Sequence, residues 1–229
     1  MIARVAQSEW PITIPESAHT LDGFRAWVMS ESFPPRGEIE FLDGEIYIDL
    51  SREKIQSHNQ VKAEVQQAVS QIVKQLDLGD FFPNGAWLTN DEARLSVEAD
   101  ATFVTWESLR TRRARFVPSQ DGDDDSIEMQ GSPDWVLEVV SDSSVRKDTK
   151  RLPQLYHRAG IREYWLIDAR GEDVLFTINH HEQAGYVAAN DDDGWQTSRV
   201  FGRQFRLDRK RDPVGGWQYT LHVRDIAAT

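Results

Sequence analysis

Apolar and polar positions along this chain switch between a helical and a strand period, and the switches divide it into elements. Residues 1–16 read as an irregular leader ending in a proline-flanked ITIP. From Thr20 to Met29 the residues Leu21, Phe24, Trp27 and Val28 share one helical face, and Phe33-Pro34-Pro35 stops the helix. Residues 38–42 and 45–48 alternate at strand period around Asp43-Gly44, a pair suited to a two-residue hairpin turn. Residues 57–78 carry the clearest helical stripe, Val61, Val65, Ala68, Val69, Ile72, Val73 and Leu76, with Ser57 placed to cap its start and Gly79 to close it.

Strands are then expected over 86–89 and 95–105, and a polar, charged loop over about 107–131. Residues 135–140 form a short apolar run of strand length. Residues 149–159 suit a helix that starts close to Pro153. Residues 164–167, 174–178 and 185–189 complete the strands. The order predicts an α/β (α+β) fold: a mixed central sheet flanked by helices, with an N-terminal hairpin. One domain over 1–229 is expected, with a core at about 20–190 and a β or irregular extension over 191–229.

Charge and composition narrow the function classes. The chain has no cysteine, which excludes disulfides and thiolate zinc sites and suits a reducing cytoplasm. No signal-peptide pattern opens it, and no apolar run approaches the roughly 20 residues that span a bilayer, so no membrane partner is expected. A net charge of −12 argues against indiscriminate polyanion binding. Basic residues nevertheless cluster at 110–115 and 146–151, while much of the acidity sits in two runs, 121–125 and 191–193, which read as solvated loop tips. The acidic run at 121–125 begins like a calcium loop but lacks its glycine and final glutamate. The adjacent pair His180-His181 lacks the spacing of a metal clamp.

Two carboxylates stand in apolar runs. Glu138 interrupts the strand at 135–140, and Asp100 lies between Ala99 and Ala101. Burying a carboxylate costs several kcal/mol unless it is paired or holds a metal. Glu138 therefore points outward, pairs with an arginine or binds a cation. Two such groups on neighbouring strands would suit a hard divalent ion such as Mg²⁺.

The segment PDWVLEVVSDSSVRKDTKRLPQLYHRAGIREYWLID resembles the hallmark of the Uma-two family of restriction-endonuclease-like proteins. Further matching pieces are Glu40-Phe41-Leu42-Asp43-Gly44-Glu45, His58, and Glu98-Ala99-Asp100-Ala101-Thr102-Phe103-Val104, so the likeness spans about 38–189. It implies a PD-(D/E)XK nuclease core in which Asp100, Glu138 and the carbonyl of Val139 hold Mg²⁺ or Mn²⁺. Ala99 stands in place of the usual proline, Val140 in place of the superfamily lysine, and Leu152 where many members carry a lysine. Lys147 is the expected substitute, and Lys150 the second choice. Glu40, Glu45 and His58 are candidate outer-shell groups, although hairpin surface charge and helix-start packing explain them as well. Ser141 and Ser144 are expected to cap the following helix, and Tyr156, Tyr164 and Trp165 to lie in the core. The function implied is a Mg²⁺-dependent endonuclease acting on DNA, as a homodimer if it cuts both strands. The alternative is a catalytically weakened nuclease fold serving as a nucleic-acid-binding or protein-interaction module.

Overall fold

The computed structural model describes residues 12–84, 86–118 and 125–226. The leader up to residue 11 and positions 121–124 of the first acidic run lie outside them. Helix α1 (Leu21–Val28) is capped by Thr20, whose Oγ1 accepts from Gly23 N at 3.1 Å. The hairpin β1 (Glu38–Leu42) and β2 (Glu45–Asp49) turns at Asp43 and Gly44, with φ of 52° and 92°. Those left-handed values are what an Asp-Gly turn tolerates.

Helix α2 (Gln60–Leu76) is preceded by a single π turn, Ile55–Asn59. Ser57 lies inside that turn and caps nothing, because the wider turn, rather than a hydroxyl, leads the chain into the helix. The helix ends at Asp77, left-handed at φ 50°, not at Gly79, which opens strand β3 (Gly79–Phe82). Gly79 is needed there because a Cβ would fall 2.0 Å from the Val104 carbonyl oxygen.

The expected strand over 95–105 is two strands. After β4 (Trp87–Asn90), β5 (Leu95–Glu98) pairs with β1 and β4, whereas β6 (Ala101–Thr105) pairs with β3 and the later β9. The chain passes from one sheet to another at Ala99-Asp100. The expected loop over 107–131 also contains structure: α3 (Trp106–Arg110), β7 (Ala114–Pro118) and β8 (Ser126–Gly131). Its many arginines hide an amphipathic edge, on which Ala114 and Met129 are buried against Val104.

Next come β9 (Trp135–Val139), a second π turn at Lys147–Arg151, α4 (Leu152–Arg158) and β10 (Glu163–Asp168). The chain closes with β11 (Leu175–Glu182), β12 (Gly185–Ala188), β13 (Asp191–Asp192), β14 (Trp195–Ser198), β15 (Arg203–Arg211) and β16 (Trp217–Asp225). Three sheets result, in the orders β2-β1-β5-β4-β8-β7, β12-β11-β10-β9-β6-β3 and β13-β14-β15-β16. The mixed α+β architecture matches the expectation, with β9 and β10 parallel at its centre.

Alternation along β9 and β10 separates two cores. Trp135, Leu137, Val139, Trp165 and Ile167 face the α2 stripe and the last sheet. Val136 and Tyr164 face α4 and β5. Each Val or Ile buried on the α2 stripe contributes about 1.5–3 kcal/mol. No helix among the described residues is long and apolar enough to cross a membrane.

Candidate active site

Ala101 on β6 pairs with Leu137 on β9 in antiparallel register. One step further along each strand sets Asp100 beside Glu138, just past the end of the ladder. The Val139 amide donates to Asp100 Oδ2 at 2.7 Å, so the engaged group of Val139 is its N–H. Glu138 is buried and points neither to solvent nor to an arginine. Its Oε1 accepts from Tyr156 Oη of α4 at 2.5 Å. Burial pushes its carboxyl well above the usual range, with Asp100, Asp148 and Glu40 adding to the effect against the pull of Lys147.

Helix α2 and the π turn before it supply the opposite wall. His58, Lys62 and Gln66 recur every four residues beside the apolar stripe, and all three reach Asp100. Lys62 Nζ lies 3.0 Å from Asp100 Oδ1, His58 Nε2 lies 3.7 Å from Oδ2, and Gln66 Nε2 donates to the Asp100 carbonyl at 2.9 Å. Glu53 closes the group, 3.1 Å from Lys62 and 3.5 Å from His58 Nδ1. Its carboxyl is lowered to about 2, chiefly by the His58 hydrogen bond and the Lys62 charge. Burial lowers the Lys62 and His58 pKa values, but Asp100 and Glu53 outweigh it and raise both.

The second π turn brings in Lys147 and Asp148. Lys147 is buried, with Nζ bonded to Glu38 and at 3.0 Å from Glu40 Oε2. Burial opposes its charge, yet Glu40, Glu138, Glu38 and Asp148 together hold its pKa well above normal. Desolvation raises Asp148 to about 7 and Glu40 to about 8 against the pull of Lys147. π turns often mark functional sites, and here the two carry His58 and the Lys147-Asp148 pair.

These groups enclose a cavity of about 280 Å³. Asp100, Glu138, Val139, Lys147 and His58 all line it, and Glu40 stands behind Lys147. Glu45 is not brought there: it is exposed and pairs with Arg151 at 2.7 Å. Lys150 is exposed and away from the cavity, because the turn that buries Lys147 carries it to the other side. Lys62 and Glu53 were not singled out from sequence. The four-residue spacing of His58, Lys62 and Gln66 was the available signal.

Other motif residues are structural. Asp134 is fully buried and accepts from Thr105 N, Thr105 Oγ1 and Ser108 Oγ at 2.7–2.9 Å, with Arg162 at 2.7 Å. Tyr156, Tyr164 and Trp165 are core residues, as expected. Ser141 and Ser144 bond each other's amides, and Ser144 Oγ donates to the Asp148 carboxylate.

The donor set fits a hard divalent cation. Seven carboxylates line the cavity against two lysines and one imidazole. Asp148 Oδ1 and Glu40 Oε1 are buried without a hydrogen-bond partner. Glu53, His58 and Asp100 present ligand atoms within 4.8 Å of one another, and Glu138 faces Asp100 across the β6–β9 seam. Oxygen-rich surroundings short of positive charge suit Mg²⁺ or Mn²⁺.

The chain matches the Uma2 family model, described as "Putative restriction endonuclease", over residues 21–210. No curated protein matches it. Among solved structures it is similar to a crystal structure from Anabaena variabilis described as a "putative nuclease belonging to DUF820", at 18% identity and a TM-score of 0.57. The likeness covers 80% of this chain and 90% of that one, and it bears out the fold.

Proposed function

The chain belongs to the Uma2 family of restriction-endonuclease-like proteins, and on that premise we propose that it is a divalent-metal-dependent endonuclease hydrolysing DNA phosphodiester bonds in the cytoplasm. What supports the reading above all is the facing pair Asp100 and Glu138 on the wall of a cavity that also holds two lysines.

Asp100 and Glu138, with the Val139 carbonyl, would hold Mg²⁺ or Mn²⁺; Glu53 and His58 offer a second grouping around Asp100. Such an ion, when bound, lowers the pKa of a water and neutralises charge on the phosphoryl group. The remaining roles fall to the chain's own groups. Lys62 and Lys147 both have raised pKa values, so each stays protonated at neutral pH and acts as a fixed charge, not as a base. Lys62 is the better placed to meet a phosphate oxygen, because its side chain is 12% exposed against 3% for Lys147. His58, whose pKa Glu53 and Asp100 raise, is positioned to hold or pass a proton at Nε2 beside Asp100. Tyr156 orients Glu138 through its hydroxyl.

Plasmid cleavage with Mg²⁺ or Mn²⁺ tests the reading, with Glu138→Ala beside the wild type. Metal-dependent cutting that falls about 100-fold or more in the variant is expected. Cutting that persists undiminished removes the assigned site. A wild type that binds but never cuts supports the second reading, a weakened nuclease fold used for binding; the enclosure of Lys147 by carboxylates favours it. Cutting both strands calls for two sites, so light scattering should give twice the 26.3 kDa chain mass. A monomer at working concentration would refute the dimer.

A further inference from the structure

An acidic chain that cuts DNA needs a local surface to hold the polyanion, and the core around the cavity does not provide one. Residues 203–225 differ from the rest: six Lys or Arg stand against three Asp, in a chain whose net charge is −12. We propose that the end of the β15–β16 hairpin and the recess beside His58 form one basic, aromatic ridge that grips the sugar–phosphate backbone of DNA. The proposal rests on the endonuclease reading for its choice of ligand.

Geometry links the hairpin to the cavity. β16 packs along α2 and the π turn before it. At the hairpin turn, a Cβ on Gly216 would lie 2.7 Å from Gln56 Nε2, two residues from His58. Arg209 reaches from β15 to the carbonyls of Ala169, Gly171 and Glu172, in the loop after β10. That loop also carries Arg170, which lines a recess of about 130 Å³ with Arg52, Lys54 and His58. Ser51, His58 and Ser141 line both this recess and the main cavity, so the two adjoin.

The chemistry suits a backbone track. The guanidinium groups of Arg209 and Arg211 stack on the Trp217 ring, 3.9 and 3.6 Å from its centroid. Stacking fixes a guanidinium in place; the Nη groups of Arg209 are taken by backbone carbonyls, whereas Arg211 keeps donors for phosphate oxygens. Arg211 is exposed, and its N–H donates to Gly215 O. Among the described residues, Arg52, Arg209, Lys210 and Arg211 make no ion pair, whereas Lys54 and Arg170 are held by Asp142 and Asp168. The other arginine cluster, at the far end of β6, is tied up internally: Arg113 and Arg162 share Asp134, and Arg199 pairs with Glu182. Four cations without an ion pair thus stand on the ridge, where the Asp212 carboxylate at the hairpin turn accepts from the Val214 and Gly216 amides.

The test is binding of a short fluorescein-labelled DNA duplex in EDTA, followed by anisotropy across a salt series. Arg52→Glu/Arg211→Glu should bind about tenfold or more weakly than wild type, and the slope of log K against log salt should fall by about 2. Lys74→Glu/Arg110→Glu carries the same charge change elsewhere and should stay within about twofold of wild type. Equal affinity and slope in the ridge variant overturn the proposal, as does an equal loss in the control. So does a wild type that binds no DNA. Should the double variant fail to fold, Arg211→Gln alone should lower the slope by about 1, and no change in it overturns the ridge. Plasmid cleavage by the wild type, read beside this assay, separates the two readings. Ridge-dependent binding without cutting removes the endonuclease and leaves the ridge; cutting with ridge-independent binding does the reverse.

Discussion

Replacing Lys62 by Met removes one cation from the cavity while keeping the length of its side chain. Lys62 Nζ lies 3.0 Å from Asp100 Oδ1, and its side chain is 12% exposed. At an effective dielectric of about 20, unit charges at that distance attract by about 5 kcal/mol before desolvation is subtracted. A phosphate oxygen about 5 Å from the same ammonium would feel about 3 kcal/mol. Charge that develops only in the transition state would lose that stabilisation, a fall of about two orders of magnitude in rate. Single-turnover cleavage of a labelled duplex at saturating Mg²⁺ measures it. Lys62→Arg keeps the charge and should recover part of the loss. Lys147→Met should act differently, because it strips the counter-charge from Glu38, Glu40 and Asp148 and lowers thermal stability. A folded Lys62→Met variant that cuts within about threefold of wild type, far inside that loss, would refute this reasoning and reduce Lys62 to a counter-ion of Asp100.

Asp134→Ala should unfold the protein more easily without altering chemistry, because it leaves Thr105, Ser108, Arg113 and Arg162 without their shared acceptor. The cost is about 3–5 kcal/mol, read by urea titration, and rate per folded molecule should be unchanged; a large rate loss at full stability would place Asp134 in the chemistry. Metal-free stability should depend on pH in an unusual direction. Burial raises Glu40 to about 8 and Asp148 to about 7, so the folded state holds protons that the unfolded state has released. Stability is then greatest below the ordinary carboxylate range and is lost as pH climbs from about 4.5 to 8, with Mg²⁺ opposing the loss. A melting temperature in EDTA that rises over this window would contradict the assignment.

The elements that could be read from sequence are those whose burial pattern is strong and local. The α2 stripe, the Asp-Gly hairpin, β9 and the β10–β12 run each bury one face against a large core. β7, β8 and α3 were missed because their inward residues are few and spaced by arginines and acids. β15 was legible only as part of a β or irregular extension for a similar reason: only Phe205 and Leu207 mark its inner face among charged neighbours. The carboxylates were visible because a charge in an apolar run is costly and needs a cause. Lys62 was not, because one lysine on a helix beside an apolar stripe resembles an ordinary solvated face.

The crossing at Ala99-Asp100 was hidden by physics more than by weak signal. Leu95, Val97 and Ala99 point into the core beneath α4, and Ala101 and Phe103 point into the core beneath α2. Every odd position from 95 to 103 is thus buried, so the strand period continues unbroken while the face it fills changes. Alternation reports that a side chain is buried, not against which layer. At the seam, neither sheet's ladder uses the Asp100 position, and its carboxylate is left to accept the Val139 amide and to face Glu138 and the α2 cations. The small residues on either side permit two layers to meet there. The feature that makes Asp100 a candidate ligand is therefore the sheet change itself, which becomes visible only when both layers are in view.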